Sequence, residues 1–154
     1  MIIKQLKGID VDKAFVLALK VFKKNVNYNH FGLEKFKYNV IYNERYRKSC
    51  KKGINILFGC FYETKLIGFI GISKNGFYIT LLFVKDEYQG KKIGTSLFNY
   101  AISFIKDTYE TKEIIINATQ NAMPFYESLG CEVIGEKEEK DGVIITPMKY
   151  IIKE

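Results

Sequence analysis

The spacing of apolar residues in the first third of the chain predicts one strand and two helices. Residues 1–6 alternate between apolar and polar positions, which predicts the first strand. Apolar residues at helical spacing come next and predict a helix, with Asp10 or Asp12 as its N-terminal cap. A second run with helical spacing covers residues 33–50 and predicts the second helix.

Three consecutive apolar runs in the middle of the chain predict strands joined by hairpins. They cover residues 54–62, 66–73 and 77–84, and Asn75-Gly76 is a strong turn signal between the last two. The remaining chain predicts a helix with Ile93, Leu97, Ala101 and Ile105 on one face, a strand over 113–117, a helix over 121–129, and strands over 133–137 and 143–151.

The order of these elements, β-α-α-β-β-β-α-β-α-β-β, indicates the mixed α/β (α+β) class. Such an order is typical of one central, mixed and twisted sheet flanked by helices. No internal repeat and no Pro/Gly/Ser-rich linker interrupts the sequence. We therefore expect residues 1–154 to form a single domain, in line with the usual ~100–200 residues per domain.

Composition limits the compartment and the metal chemistry. No apolar run reaches the ~20 residues of a membrane-spanning helix, and the N-terminus does not resemble a signal peptide. We therefore expect a cytoplasmic protein without a membrane partner. Cys50, Cys60 and Cys131 are widely spaced and His30 is the only histidine, so neither a disulfide framework nor a metal site is expected.

The net charge of +7 is distributed unevenly along the chain. Residues 1–60 contain 13 Lys and Arg but 4 Asp and Glu, whereas residues 61–154 contain 11 and 13. The densest basic stretch, residues 45–52, could attract nucleic acid or another acidic partner. Alternatively, it is a solvated helix end, where cations suit the helix dipole. Tyr46 is its only aromatic residue, so a nucleic-acid partner is not expected.

A glycine-containing loop between an apolar strand and an amphipathic helix is the first candidate site. It consists of Gln89, Gly90, Lys91, Lys92, Ile93, Gly94 and Thr95. Glycines allow close backbone approach, and free N–H groups at a helix N-terminus attract phosphate. The loop fits neither a Walker A motif nor a G-x-G-x-x-G motif. The alternative is a glycine-containing loop with solvated lysines.

A second segment, residues 121–131 with the sequence Asn-Ala-Met-Pro-Phe-Tyr-Glu-Ser-Leu-Gly-Cys, adds to the picture. Together with Leu82-Phe83-Val84 and the loop, it resembles the GNAT superfamily of acetyl-CoA-dependent N-acyltransferases. The loop of that family is usually written (Gln/Arg)-x-x-Gly-x-(Gly/Ala). This chain departs from the pattern at Lys92, in the first glycine position, and at Cys131, where an aromatic residue is common. Lysine has less backbone freedom than glycine, so Lys92 alters the geometry of the loop unless it sits at an ordinary helical φ, where it should not abolish phosphate binding.

The resemblance implies roles for particular residues. Leu82, Phe83 and Val84 would offer backbone groups to the pantetheine arm, and Gln89, Gly90, Lys91, Lys92, Ile93, Gly94 and Thr95 would form the pyrophosphate loop. Asn117 and Asn121 are candidate polar contacts to the cofactor. Tyr126 would protonate the departing CoA thiolate, and its alternative is an ordinary core aromatic residue.

The general base is left open by the sequence. Tyr28, His30, Glu34, Glu63 or a chain of water molecules could serve, whereas residues 77–84 contain no carboxylate. His30 could equally be a plain surface histidine. We expect the cysteines among strand residues, Cys60 and Cys131, to be small buried hydrophobic residues and not nucleophiles.

The leading hypothesis is an N-acetyltransferase that moves an acetyl group from acetyl-CoA to a primary amine by direct attack in a ternary complex. The alternatives are a nonenzymatic acyl-CoA-binding or sensing module on the same fold and a small basic nucleic-acid-binding protein. The acceptor could be a small molecule or a peptide, and the charge of residues 1–60 favours a neutral or acidic one over a polyamine. Both a monomer and a homodimer are compatible with the sequence.

Overall fold

An eight-stranded mixed sheet organises the chain in a computed structural model, which describes residues 1–26, 28–29 and 31–153. The spatial order is β1-β2-β3-β4-β5-β8-β6, and β7 pairs with β8. Only β4 and β5 pair in parallel; the other strand pairs are antiparallel. The strands are β1 (Ile2–Gln5), β2 (Ile56–Tyr62), β3 (Lys65–Ile72), β4 (Tyr78–Val84), β5 (Glu113–Thr119), β6 (Glu132–Val133), β7 (Glu138–Lys140) and β8 (Val143–Ile151).

Helices cover both faces of this sheet. They are α1 (Ile9–Asn25), α2 (Gly32–Phe36), α3 (Glu44–Lys51), α4 (Ile93–Thr108) and α5 (Met123–Ser128), with a π-helical turn at Lys37–Ile41 and a 3-10 turn at Asp86–Tyr88. One apolar core lies between the sheet and α4, and a second lies between the sheet, α1 and α3. Within the part of the chain that is described, no helix combines the length and the apolar character needed to cross a membrane.

The predicted fold class is confirmed, since helices flank a mixed central sheet. The predicted apolar face of α4 is also correct, because Ile93, Leu97, Ala101 and Ile105 are all buried. Strand β3 packs on both cores, with Ile67 and its neighbours facing alternate sides. Burial on two faces explains why its sequence is almost continuously apolar.

The prediction of one helix over residues 33–50 is wrong. α2 continues into the π-helical turn, in which the Tyr42 N–H donates to the Lys37 carbonyl at 2.8 Å. The chain then leaves the helix, and α3 starts anew after Asn43, whose side chain accepts from the Tyr46 N–H at 2.9 Å. An asparagine that satisfies a free N–H in this way favours a new helix start over continuation.

Two smaller predictions also need correction. The N-cap of α1 is Gly8, with φ 56°, so Asp10 and Asp12 lie inside the first turn and do not cap it. The strand predicted over residues 133–137 is interrupted, because residues 134–137 oppose only two residues of β8. One of these is Pro147, which has no N–H to donate to the ladder.

The sheet splits between β4 and β5, and a single residue marks the point of division. The two strands pair only at Tyr78 with Ile115 and at Ile79 with Ile116. Thr80 follows Ile79 in β4 and is an extra residue in the pairing with β3. Its neighbours Leu81 and Ile79 oppose two consecutive residues of β3. Such a β-bulge bends its strand and increases the local twist. Residues 80–84 therefore diverge from β5 and leave the edge facing it unpaired.

Candidate functional site

The split between β4 and β5 opens into a cavity of about 450 Å³. All the predicted cofactor-binding residues except Lys91 and Asn117 line it, together with Tyr126. The walls are Val21, Asn25, Val26, Leu82, Phe83, Val84, Tyr88, Gln89, Gly90, Lys92, Ile93, Gly94, Thr95, Thr119, Asn121, Ala122, Phe125 and Tyr126. The cavity thus joins the unpaired edge of β4 to the N-terminus of α4.

The N-terminus of α4 has free backbone N–H groups of the kind that bind anions. The first hydrogen bond of this helix runs from the Ser96 N–H to the Lys92 carbonyl at 3.0 Å, so the preceding N–H groups of Ile93, Gly94 and Thr95 have no partner within the helix. These three residues line the cavity. The helix dipole adds positive potential at the same place. This end of the cavity can hold a phosphate group.

Lys92 does not meet the condition of an ordinary helical φ. Its φ of 64° and ψ of 21° place it in the left-handed region, which favours glycine. The chain therefore keeps a glycine-like backbone at this position, although a lysine stands there, at a cost of about 1–2 kcal/mol. The Lys92 side chain remains exposed beside the cavity.

The end of β4 is fixed by polar contacts with α1. Asp86 accepts a hydrogen bond from Asn25 Nδ2 at 2.7 Å and forms an ion pair with Lys24 at 2.7 Å. The hydrogen bond from Lys24, followed by that from Asn25, holds the pKa of Asp86 below its ordinary value. Gln89 Nε2 donates to the Val84 carbonyl at 2.9 Å. Gln89 therefore positions the loop through its side-chain hydrogen bond, and it also lines the cavity.

Three of the predicted cofactor-binding residues contact other parts of the protein or lie outside the larger cavity. Asn121 donates its side-chain N–H to the Asn25 carbonyl at 2.6 Å, which joins the β5–α5 connection to α1. Lys91 is outside the cavity, with its ammonium 5.6 Å from the centre of the Tyr88 ring. Asn117 lines a second, smaller cavity of about 200 Å³.

Tyr126 lies between the two cavities and lines both of them. Its ring packs edge-on against Phe98 and Phe125, and only 6% of the residue is exposed. Burial, with a smaller contribution from Cys131, raises the pKa of the Tyr126 hydroxyl above its ordinary value. The hydroxyl is therefore protonated at neutral pH.

The smaller cavity begins beside this tyrosine and extends toward α1 and α2. It is lined by Phe22, Val26, Phe36, Ile79, Thr80, Leu81, Leu82, Phe83, Ile116, Asn117, Thr119, Ala122 and Tyr126. Val26, Leu82, Phe83, Thr119, Ala122 and Tyr126 belong to both cavities. The two spaces therefore adjoin, and two molecules bound in them would meet at Tyr126.

The candidate bases that the structure describes do not reach either cavity. Tyr28 stacks on Phe22, with ring centres 5.4 Å apart, and Glu34 is exposed and paired with Lys37 at 3.5 Å. Glu63 lies in the β2–β3 turn, and neither it nor the other two lines a cavity. His30 lies outside the described residues. In the described part of the chain, no cluster of three or more His, Cys, Asp or Glu side chains could hold a metal ion.

Sequence reasoning missed several residues of these walls. Phe22, Phe36 and Thr80 line the smaller cavity, and Asn25 and Ala122 line the larger one. Phe22 and Phe36 occupy apolar positions at helical spacing, which a core explains equally well, so they gave no separate signal. Asn25 gives no signal, because its partner Asp86 is 61 positions away along the chain.

Solved structures with the same fold are numerous among N-acetyltransferases. A GCN5-related N-acetyltransferase from Rhodopseudomonas palustris superposes with a TM-score of 0.82 at 15% identity, over 97% of this chain and 94% of that one. PaiA N-acetyltransferase from Thermoplasma acidophilum, in complex with coenzyme A, gives 0.75 at 22% identity, over 98% and 99%. An aminoglycoside 6′-N-acetyltransferase complexed with coenzyme A gives 0.70 at 15% identity, over 100% and 98%.

The sequence itself matches a family model over most of its length. The model is that of the acetyltransferase (GNAT) domain, and the match covers residues 23–152. No curated protein matches in a sequence comparison. The matched range includes the split strands, the loop before α4 and Tyr126. The chain therefore belongs to the GNAT acetyltransferase family.

Proposed function

We propose that the protein transfers an acetyl group from acetyl-CoA to a primary amine by direct attack in a ternary complex. The observation that carries this proposal is the meeting of two cavities at Tyr126 along the unpaired edge of β4. One cavity has a phosphate-binding helix end, and the other does not. Two different substrates can therefore occupy them and react at their junction.

The larger cavity fits the shape and charge of a coenzyme A thioester. Its volume of about 450 Å³ lies in the range of small-molecule sites. The free N–H groups of Ile93, Gly94 and Thr95 would hold the pyrophosphate. The unpaired edge of β4 offers backbone N–H and C=O groups to the amides of the pantetheine arm, in the manner of an added strand. Bound acetyl-CoA supplies an activated acetyl group as its thioester.

Residues of this chain would assist the transfer in two ways. A backbone N–H of residues 82–84 that faces the split can stabilise the negative charge that develops on the thioester carbonyl oxygen. As the C–N bond forms and the C–S bond breaks, Tyr126 would donate its proton to the departing sulfur, and the proton that the attacking nitrogen loses would restore the tyrosine; such acid assistance typically contributes 10²–10⁴-fold. Since the pKa of Tyr126 is raised, its proton is in place throughout the neutral range.

The attacking amine must be neutral, and the smaller cavity favours that form. Its described walls carry no charged side chain. An ammonium ion loses hydration in such surroundings, so the pKa of a bound amine falls. A free electron pair on nitrogen is thereby produced without a dedicated carboxylate base.

The direct test is thermal unfolding with acetyl-CoA, CoA or ATP, followed by an amine-dependent assay of CoA release. A ligand at 100 times its Kd stabilises the folded state by about 2.7 kcal/mol. We expect stabilisation by acetyl-CoA and CoA, little by ATP, and CoA release that requires an amine. Absence of any stabilisation by acetyl-CoA would contradict the proposal. Binding without turnover of any amine would instead favour the acyl-CoA-binding module.

A further inference from the structure

Aromatic rings form the wall of the smaller cavity on the side of the first two helices. Phe22 and Phe36 stack with ring centres 4.2 Å apart, and Phe83 lies 5.9 Å from Phe36. Phe22 is almost completely buried, and Ile79 and Ile116 close the opposite side. Water gains little from such a surface, whereas an alkyl chain or a ring would displace it favourably.

The volume of this cavity limits what it can take. It measures about 200 Å³. An apolar cavity of about 150 Å³ holds one benzene molecule. The space beyond Tyr126 therefore suits one ring, or an unbranched chain of about five carbons.

The polar groups on these walls are neutral. Thr80, Asn117 and Thr119 are the polar side chains among its described lining residues other than Tyr126, and none carries charge. The acidic groups Glu34, two residues before Phe36, and Asp86, two residues after β4, already have basic partners in Lys37 and Lys24. A second ammonium group on the acceptor would lose its hydration without gaining a carboxylate, which is costly.

Two loops that are far apart in sequence are joined by direct contacts before α2. The β7–β8 hairpin meets the connection between α1 and α2, where the Asn29 N–H donates to the Gly142 carbonyl at 2.9 Å. Asn29 Nδ2 also donates to Glu139 at 2.7 Å. A Cβ atom on Gly32 would lie 2.6 Å from the Gly142 carbonyl oxygen, so the two backbones touch. These contacts fix the start of α2, the helix that carries Phe36 of the cavity wall.

From these walls we infer that the acceptor is a small, apolar primary amine with a single amino group, and not a polyamine or a peptide. The inference rests on the proposed function and names the substrate class of the same site. Pentylamine and 1,4-diaminobutane provide a matched test, because they have equal length and differ by a methyl group against an ammonium group. We expect kcat/KM for pentylamine to exceed that for the diamine by about 100-fold or more.

Variants of the cavity wall sharpen this test. Thr80 is exposed at the bulge, although its hydroxyl also forms a hydrogen bond with Tyr46, so Thr80→Asp adds a carboxylate at the cavity wall and its folding is checked by thermal unfolding. Thr80→Asp should reduce the preference for pentylamine over 1,4-diaminobutane by about tenfold or more. An ion pair between the new carboxylate and the second ammonium group is worth at least that factor. Thr80→Val removes the hydroxyl without adding charge and should leave the preference unchanged. Tyr38→Ala, at a position 79% exposed on the π-helical turn, should leave both rates unchanged.

Binding gives a second readout that does not need turnover. Calorimetry of the CoA-loaded protein should show binding of pentylamine but not of 1,4-diaminobutane. Equal turnover of the two amines, better turnover of an alanine dipeptide, or no turnover of any small amine would overturn the inference. Thermal stabilisation by acetyl-CoA is measured in the same samples. If acetyl-CoA no longer stabilises the protein, the proposed function fails; if it does stabilise the protein, the outcomes above concern the acceptor alone.

Discussion

The two parts of β4 differ although they belong to one continuous strand. At Ile79 the strand is paired on both sides, and its neighbour on β5, Ile116, belongs to the core that contains α4. From Thr80 to Val84 it is paired with β3 alone, and the other edge faces the cavities. The closed part joins the two halves of the sheet, and the open part is the edge for which we propose acetyl-CoA binding.

This difference shows how a binding site can be made without removing any strand from a sheet. One extra residue, Thr80, is enough to separate β4 from β5 beyond Ile79. The helix α4 packs mainly on β3 and β2, and its N-terminus lines the larger cavity at Gly94. Variants in the open part should therefore affect binding and turnover, whereas variants in the closed part should affect stability.

The largest expected effect belongs to the open part. Tyr126→Phe removes the proposed acid but keeps the ring that packs on Phe98 and Phe125. We expect kcat to fall by about 10²–10⁴-fold, with the thermal stabilisation by CoA unchanged. Initial rates of CoA release at saturating acetyl-CoA measure this. A loss smaller than about threefold, far below the usual contribution of an acid, would show that Tyr126 is not the acid.

The next effect compares the two parts directly. Ile114 on β5 is fully buried in the closed part, and Ile114→Ala should lower the free energy of unfolding by about 2–5 kcal/mol. Leu82 on the open edge is half-buried, and Leu82→Ala should cost less stability but reduce acetyl-CoA binding. Urea unfolding with and without acetyl-CoA tests both variants. If both variants lost the same amount of stability and of acetyl-CoA binding, the closed and open parts of β4 would not differ in what they contribute.

A smaller effect is expected at alkaline pH. Burial raises the pKa of Cys50 and Cys131, each to about 11. Because these folded-state values lie above the unfolded value of 9.0, the stability is fully present below pH 9 and falls as pH rises toward 11. Each thiol should contribute up to about 2 kcal/mol to that loss. Cys50→Ala and Cys131→Ala should each make the dependence of urea midpoints on pH less steep.

The smallest effect concerns the loop before α4. Lys92→Gly should stabilise the fold by up to about 1 kcal/mol, because it relieves the left-handed backbone strain of a residue with a Cβ atom. Lys91→Gly removes the same charge at a position without positive φ, so it should destabilise by about 0.5–1 kcal/mol. Equal shifts in melting temperature for the two variants would contradict this account.

The sequence predicts well those features that depend on nearby residues. The apolar face of α4 recurs within one helix, and the loop at Gln89 lies directly between β4 and α4. Both are set by short-range spacing, so they can be recognised without knowing the fold. The assignment of residues 1–154 to one domain and the roles of the loop residues and Tyr126 stay predictions.

Features that depend on distant pairing could not be predicted. The bulge at Thr80 exists only relative to the register of β3, and residues 78–82 show no local irregularity in their pattern. The contacts of Asp86 with Lys24 and Asn25 join positions far apart in sequence. The π-helical turn depends on where Asn43 starts the next helix. In each case tertiary structure decides between local alternatives.

The π-helical turn at Lys37–Ile41 also affects how this protein could diverge from its relatives. Such a turn accommodates one residue more than an α-helix would, and removing one residue from a helix rotates its two sides by about 100° relative to each other. Phe36 immediately precedes the turn and lines the smaller cavity. A single deletion within the turn would therefore move this ring off the wall, so substrate preference can change here by chain length without any substitution.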